Sequence, residues 1–283
     1  MPKQKKKLPD DEKTEQEALQ EAEEQEEKTV LEEIKKEPVF DKEAWTPKTE
    51  IGKKVRSGEI KDINEILDKG QKIAEPEIVD ILIPDLKTDL LLVGQSKGKF
   101  GGGQRRVFRQ TQKKTREGNK PRFATVAIVG NENGYIGLGY GKSKETVPAR
   151  EKAIRNAKLN LIKIKRGCGS WQCGCGEPHT IPYTIKGKSG SVIIKLMPAP
   201  KGTGLCAENE CSKILKLAGI QDVWSKTYGK TSTKMNLIYA CVKALRKLIE
   251  TKTKLEEASK LGAVEGKIKK KTEEIIEENE TGK

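Results

Sequence analysis

Histidine is almost missing from this 283-residue chain: there is one, His179, alongside three methionines and an aromatic content of only 4%. A single imidazole excludes multi-histidine metal enzymes, and any serine or cysteine nucleophile activated by histidine would have to use that one ring. No carboxylate pair stands out against a background in which 35% of residues are charged, so acid–base catalysis has no marked location. A long apolar run is also lacking. The most apolar stretch, IVDILIPDLKTDLLLVG, is broken by Asp80, Pro84, Asp85, Lys87 and Asp89 before it could span a bilayer. The opening MPKQKKKLPDDEK has no apolar h-region, so no secretory signal is expected and the expected compartment is the cytosol. Thiols stay reduced there, and the six cysteines read as metal ligands or small buried groups before disulfides.

What is abundant is positive charge: 56 Lys and Arg face 42 Asp and Glu, a net of +14. Residues 1–50 run the other way, with ten lysines, no arginine and sixteen acids, so the remainder carries about +20. A body this basic favours a polyanionic partner. The acidic, core-poor start reads as a charged extension over 1–51, with a helix-prone run from 11 to 36 ending before Pro38 and two isolated aromatics, Phe40 and Trp45, as potential anchors. Residues 252–283 read as a comparable charged tail or an exposed helix.

Between them the pattern is that of a folded α/β body. A short helix is expected over DINEILD, stopped by Gly70, then extended apolar segments at IVDILI and LLLVG. FATVAIVGN and GYIGLGYGK make a strand pair turning at Asn131 to Gly134. ETVPAREKAIRNAKLNLIKI follows as an amphipathic helix with Ala153, Ile154, Ala157, Leu161 and Ile164 on one side and Arg150, Arg155, Lys158 and Lys163 on the other. IPYTIKG and SGSVIIKLMPAP form a second strand pair around Gly-Lys-Ser-Gly. A helix near NECSKILKLAG, a strand at IQDVWSKTYG and a long helix over TKMNLIYACVKALRKLIE complete the body, the last with Leu237, Ala240, Cys241, Ala244, Leu245 and Leu248 inward. Cys206, Cys211 and Cys241 have no ligand spacing and read as packed small residues.

Three motifs carry chemistry. GYIGLGYGKSKE resembles the end of a P-loop, but the Walker spacing requires glycine where Ile136 stands, and Gly137, Gly139 and Gly141 form G-x-G-x-G rather than a dinucleotide fingerprint. Such alternation fits a strand whose backbone approaches another strand or a phosphodiester chain closely. The stretch GKFGGGQRRVFRQTQKKTREGNKPRF places Arg105, Arg106, Arg109, Lys113, Lys114, Arg116, Lys120 and Arg122 among Gly and Gln, a composition suited to neutralising phosphates. Lys142 at the end of the glycine strand, Lys144 and Arg150 beyond it, and Lys201 in KGTG complete the candidate RNA-binding set. Third, Cys168, Cys173, Cys175 and His179 follow C-x4-C-x-C-x3-H, three thiolates and an imidazole sufficient for a closed tetrahedral zinc site of the structural kind.

The blocks GNENGYIGLGYGKSKETVPAREKAIRNAKLNLI, GSVIIKLMPAPKGTGL and LKLAGIQDVWSKTYGKTSTKMNLIYA resemble, in order and spacing, universal protein five of the small ribosomal subunit, across residues 52 to 250. The cysteine segment and the Lys/Glu extension resemble the archaeal branch. The resemblance implies an α/β (α+β) fold of two small domains: a double-stranded-RNA-binding-like domain at 52–165, and a C-terminal domain shared with other ribosomal proteins at 183–251. The Cys/His segment at 166–182 would join them. It further implies a non-enzymatic protein bound to small-subunit rRNA rather than DNA or membrane, beside ribosomal proteins four and eight and close to where mRNA enters. Assembly and decoding accuracy would depend on it, and a loop matching Gly101 to Arg122 would reach into rRNA. The rival readings are an RNA chaperone outside the ribosome and a nucleotide-binding enzyme using GYIGLGYGKSKE.

Overall fold

A computed structural model describes residues 45–98, 103–252 and 261–266. The helix-prone run at 11–36, Phe40, Gly101 and most of the C-terminal tail lie outside the described residues. The described part opens with three short helices, α1 (Glu50–Ser57), α2 (Ile63–Asp68) and α3 (Glu77–Leu82). Helix α1 takes in the last two residues of the expected extension, Glu50 and Ile51. The Thr49 hydroxyl caps it by accepting from the Gly52 amide, and Glu75 accepts from the amides of Lys48 and Thr49. Trp45 and Ile51 pack on the small core these helices share with Tyr135 and Leu161. IVDILI, expected to be extended, is helix α3. A short apolar run does not distinguish strand from helix by periodicity, and here Ile78 and Val79 reach the core from helical positions and Ile83 from just past the helix's end.

The first sheet contains β1 (Lys87–Leu91), β2 (Arg109–Thr115), β3 (Gly118–Gly130), β4 (Tyr135–Ser143) and β5 (Leu161–Lys163), all antiparallel. Strand β3 holds the sheet together. One edge pairs with β2 over its first half and with β1 over its second; the other edge pairs with β4 from Phe123 to Gly130. In the turn to β4 the Asn131 side chain accepts from the amides of Asn133 and Tyr135, and Glu132 and Gly134 take positive φ.

Helix α4 (Thr146–Leu159) lies on one face of this sheet. It ends earlier than the periodicity suggests: Asn160 breaks it, and Leu161 belongs to β5, with Ile164 beyond that strand. The alternating glycines of β4 are explained by α4. A Cβ on Gly137, Gly139 or Gly141 would stand 2.1–2.2 Å from the carbonyl oxygens of Ala157, Ala153 and Ala149, which recur every fourth residue along the helix. The close approach is therefore to a helix backbone, neither to a strand nor to a phosphodiester chain.

The other face of the sheet presents Val126, Ile128, Ile136 and Leu138 to a core continuous with the second domain. That domain has the sheet order β7 (Ile185–Ser189), β8 (Val192–Pro198), β10 (Val223–Tyr228), β9 (Leu205–Cys206), with helices α5 (Asn209–Leu217) and α6 (Lys234–Glu250) supplying Ile214, Leu215, Leu237, Ala240, Ala244 and Leu245 to its core. The turn between β7 and β8 is Gly190–Ser191, beyond the Gly-Lys pair of the expected turn. Cys211 and Cys241 are fully buried; their mutual hydrogen bond and burial push the Cys211 thiol's pKa up. Cys206, expected to be packed, is exposed, because β9 is a two-residue edge strand that turns this side chain outward. Where the domains meet, the Arg166 guanidinium is buried and donates to Gly219 O, Asn133 Oδ1 and Gly266 O. Glu210, buried on α5, accepts from the Leu92 amide just past β1, and its burial raises its pKa.

Candidate metal centre and nucleic-acid interface

The basic stretch expected to be a loop is a β-hairpin. Its residues are polar on both faces, so no hydrophobic alternation marks it as strand. Strands β2 and β3 pair from Arg109↔Ala124 to Thr115↔Gly118, turning through Arg116 and Glu117. Strand β4 pairs with β3 only from Phe123 onward, so residues 110–122 stand out as a two-stranded arm, exposed or at most half-buried throughout. A two-stranded ribbon with no apolar face is marginal in water on its own.

Register decides which charges meet. Lys113 lies opposite Lys120, Thr111 opposite Arg122, and Arg109, Ala124 and Lys142 form one row across β2, β3 and β4. Directly paired and alternate residues share a face of a ribbon, so Arg109, Lys113, Lys120, Arg122 and Lys142 line one side of the arm and its root. Like charges placed directly opposite each other destabilise a hairpin. Lys120 gains partial relief from Glu117 at 2.6 Å, an exposed pair. At the root the same face runs into a small cavity lined by Val93, Arg109, Ala124, Tyr140, Met235 and Tyr239.

Other members of the expected RNA-binding set are elsewhere. Lys114 is on the opposite face of the arm and Arg116 is at its tip. Arg105 is half-buried and donates to Ser232 O at 3.1 Å, bracing the arm's approach against the second domain, while Arg106 is exposed beside it. Lys144 is exposed and Arg150 half-buried near the start of α4. Lys201 pairs with Glu177 at 2.6 Å, next to the cysteine segment rather than the arm.

The Cys/His segment is closed at its base by a two-residue bridge: the Gly167 amide donates to Thr180 O and the Thr180 amide to Gly167 O. The chain can wrap this tightly because Gly169 lies against Pro182, whose carbonyl oxygen would be 2.0 Å from a Cβ there, and Gly176 takes φ +65°. The wrap brings the thiols of Cys168, Cys173 and Cys175 and the His179 imidazole together, all four ligand atoms within 4.8 Å of one another. Cys168 and His179 are each only 5% exposed. Burial pushes the Cys168 thiol up. Cys173 is held down at about 6 by the backbone amides of Lys201 and Cys175.

Asp222, which sequence spacing did not reveal, completes the arrangement. His179 Nδ1 lies 2.8 Å from Asp222 Oδ2, with both side chains buried. A carboxylate only accepts, so Nδ1 carries a proton, and in the neutral ring this leaves the Nε2 lone pair toward Cys173 Sγ, 3.9 Å away. Tetrahedral ligation with ordinary metal–sulfur and metal–nitrogen bonds separates such atoms by about 3.6 Å. The donor set and its oriented histidine therefore fit a metal ion. Asp222 is itself fixed, its Oδ1 accepting from the Gly204 amide and its backbone oxygen from the Thr180 hydroxyl. The only local sign of Asp222 was a lone acid in IQDVW, 43 residues from its partner.

Together these features define a two-domain α/β protein with an exposed basic arm on one domain and a Cys3His cluster at the junction. Family models described as "Ribosomal protein S5, N-terminal domain" and "Ribosomal protein S5, C-terminal domain" match residues 107–165 and 187–258. The chain is 52% identical over 206 residues to the small ribosomal subunit protein uS5 of Nanoarchaeum equitans, covering 73% of this chain and 88% of that one. To uS5 of Methanocaldococcus jannaschii it is 47% identical over 229 residues, covering 81% and 99%. To that of Staphylothermus marinus it is 49% identical over 210 residues, covering 73% and 91%. The chain belongs to the ribosomal protein S5 family, the archaeal relatives of which carry the name uS5.

Proposed function

We propose that this protein is a non-enzymatic, structural component of the small subunit of the cytoplasmic ribosome, where it binds rRNA. The observation that carries the reading is the basic face of the arm. Lys113 opposite Lys120, continued by Arg109, Arg122 and Lys142, opposes folding of a free hairpin and favours binding to phosphates that fall between the charges. Arg106, Lys114, Arg116, Lys144 and Arg150 are further phosphate contacts elsewhere on the first domain, and Lys201 a separate one beside the Cys/His segment. The protein works by position: phosphate contacts fix register, and the packed body transmits it. In this reading it lies near the path by which mRNA enters, with ribosomal proteins four and eight as neighbours, and supports subunit assembly and decoding accuracy. Its working parts are the extension to 51, a first domain at 52–165, the Cys/His clip at 166–182, a second domain at 183–251 and the tail from 252.

The Cys168, Cys173, Cys175 and His179 cluster is read as a structural zinc site. Three thiolates and one imidazole are the donors zinc takes in closed tetrahedral sites, and four protein ligands leave no position for substrate. Bound there, zinc would cross-link the clip and, through Asp222, brace it against β10. A tagged chain should sediment with small subunits at one copy each and carry one zinc per chain by native mass spectrometry, the zinc being lost in Cys173→Ser. A chain that stays at the top of the gradient while small subunits assemble normally contradicts the ribosomal reading.

A further inference from the structure

Part of the charged C-terminal tail is built into the fold. Residues Val264–Glu265 form β11, which pairs antiparallel with β6 (Lys165–Arg166), the strand that leads into the Cys/His clip. The Cys168 amide donates to Leu261 O at 2.7 Å, so the backbone of one candidate ligand is held by this segment. Gly262 lies against Gly176, between Cys175 and His179 in sequence, so closely that a Cβ on Gly262 would stand 1.7 Å from Gly176 O. At the far end the Gly266 amide donates to Ile164 O, and Gly266 O accepts from Arg166. Glu265 reaches two largely buried ammonium groups, Lys165 at 2.7 Å and Lys163 at 3.6 Å.

We infer that residues 261–266 are a strap that positions the metal centre, so that docking of the strap and metal binding stabilise each other. The inference rests on reading the Cys/His cluster as a metal site. Its chain of contact is short: Glu265 and Arg166 hold the strap on β6, Leu261 O fixes the Cys168 backbone, and Gly262 fixes the turn at Gly176. Groups that orient ligands without touching the metal commonly change its affinity 10- to 100-fold when lost. Linkage requires the same factor in reverse, so metal removal loosens the strap.

The full-length chain and two strap variants test this. Glu265→Lys puts a third positive charge beside Lys163 and Lys165 and touches no ligand; Gly262→Val drives a side chain into Gly176. Gly70→Val serves as control, since Gly70 also has positive φ but nothing within 4 Å of its Cβ position. In competition with a chelator, both strap variants should bind zinc about tenfold or more weakly while the control matches the parent. Their cobalt-substituted forms should keep the parent's thiolate charge-transfer bands, showing the ligands unchanged. In the unmodified protein, chelation should speed hydrogen exchange at the Cys168 and Gly266 amides. One metal per chain, with parental affinity in Glu265→Lys and exchange indifferent to chelation, overturns the strap and leaves the metal site standing. An effect of Gly262→Val alone, with that same indifference, is a local clash and also overturns it. A parent that binds no metal removes both readings.

Discussion

Strand β3 passes through two environments. From Gly118 to Arg122 it is exposed and pairs only with β2; from Ala124 to Gly130 every residue is buried and pairs with β4, and all but Thr125 pair with a second strand as well. Backbone pairing is continuous along it, so hydrogen bonding does not separate the two halves. What separates them is cover. The inner half has α4 on one face, close enough that only glycine fits on β4, and the shared core on the other. Among the described residues the outer half is covered on neither face, and it carries facing lysines. Its side chains do not serve the fold, and their arrangement makes sense once a polyanion lies along them.

Substitutions should separate the halves, and the largest effect belongs to the inner one. In Gly139→Val the new side chain would start 2.1 Å from Ala153 O and 2.2 Å from the Ala157 amide nitrogen, backbone atoms that cannot turn aside. We expect a loss of about 3 kcal/mol or more, measured by denaturant unfolding, with the first domain failing to fold in the strongest case. In the outer half a single change should be small and of opposite sign in two assays. Lys113→Ala removes the repulsion with Lys120, so the free protein should gain a few tenths of a kcal/mol, about 0.2–0.5. Its affinity for rRNA should fall, with the slope of log affinity against log salt reduced by about 1.

The inner half was also the more legible in sequence, for the same physical reason. FATVAIVGN and GYIGLGYGK, the helix after Gly204, the strand at IQDVWSKTYG and the last helix announce themselves through apolar spacing, because each has a core to face. The arm has none, and strand spacing in a polar, basic run is invisible to a hydrophobic pattern. The glycines of β4 signalled a close approach but not to what, since the alanines that meet them also suit any helix. IVDILI was too short for its period to decide. At the clip the four candidate ligands were legible because they are adjacent in sequence. Asp222 and the strap at 261–266 were not, since one is a lone acid and the other lies in a charged tail, and only the fold brings them to His179 and Cys168.

We propose that the basic face of the arm binds rRNA and lends no stability to the fold. This is tested most directly by reversing Arg109, Lys113 and Arg122 to Glu together, which leaves out Arg105 because that side chain braces the second domain through Ser232. The measurement is the distribution of the tagged variant across a sucrose gradient, with its melting temperature as control. The variant should melt within about 2 °C of the parent and be absent from the small-subunit peak. Normal incorporation of a normally folded variant would contradict it.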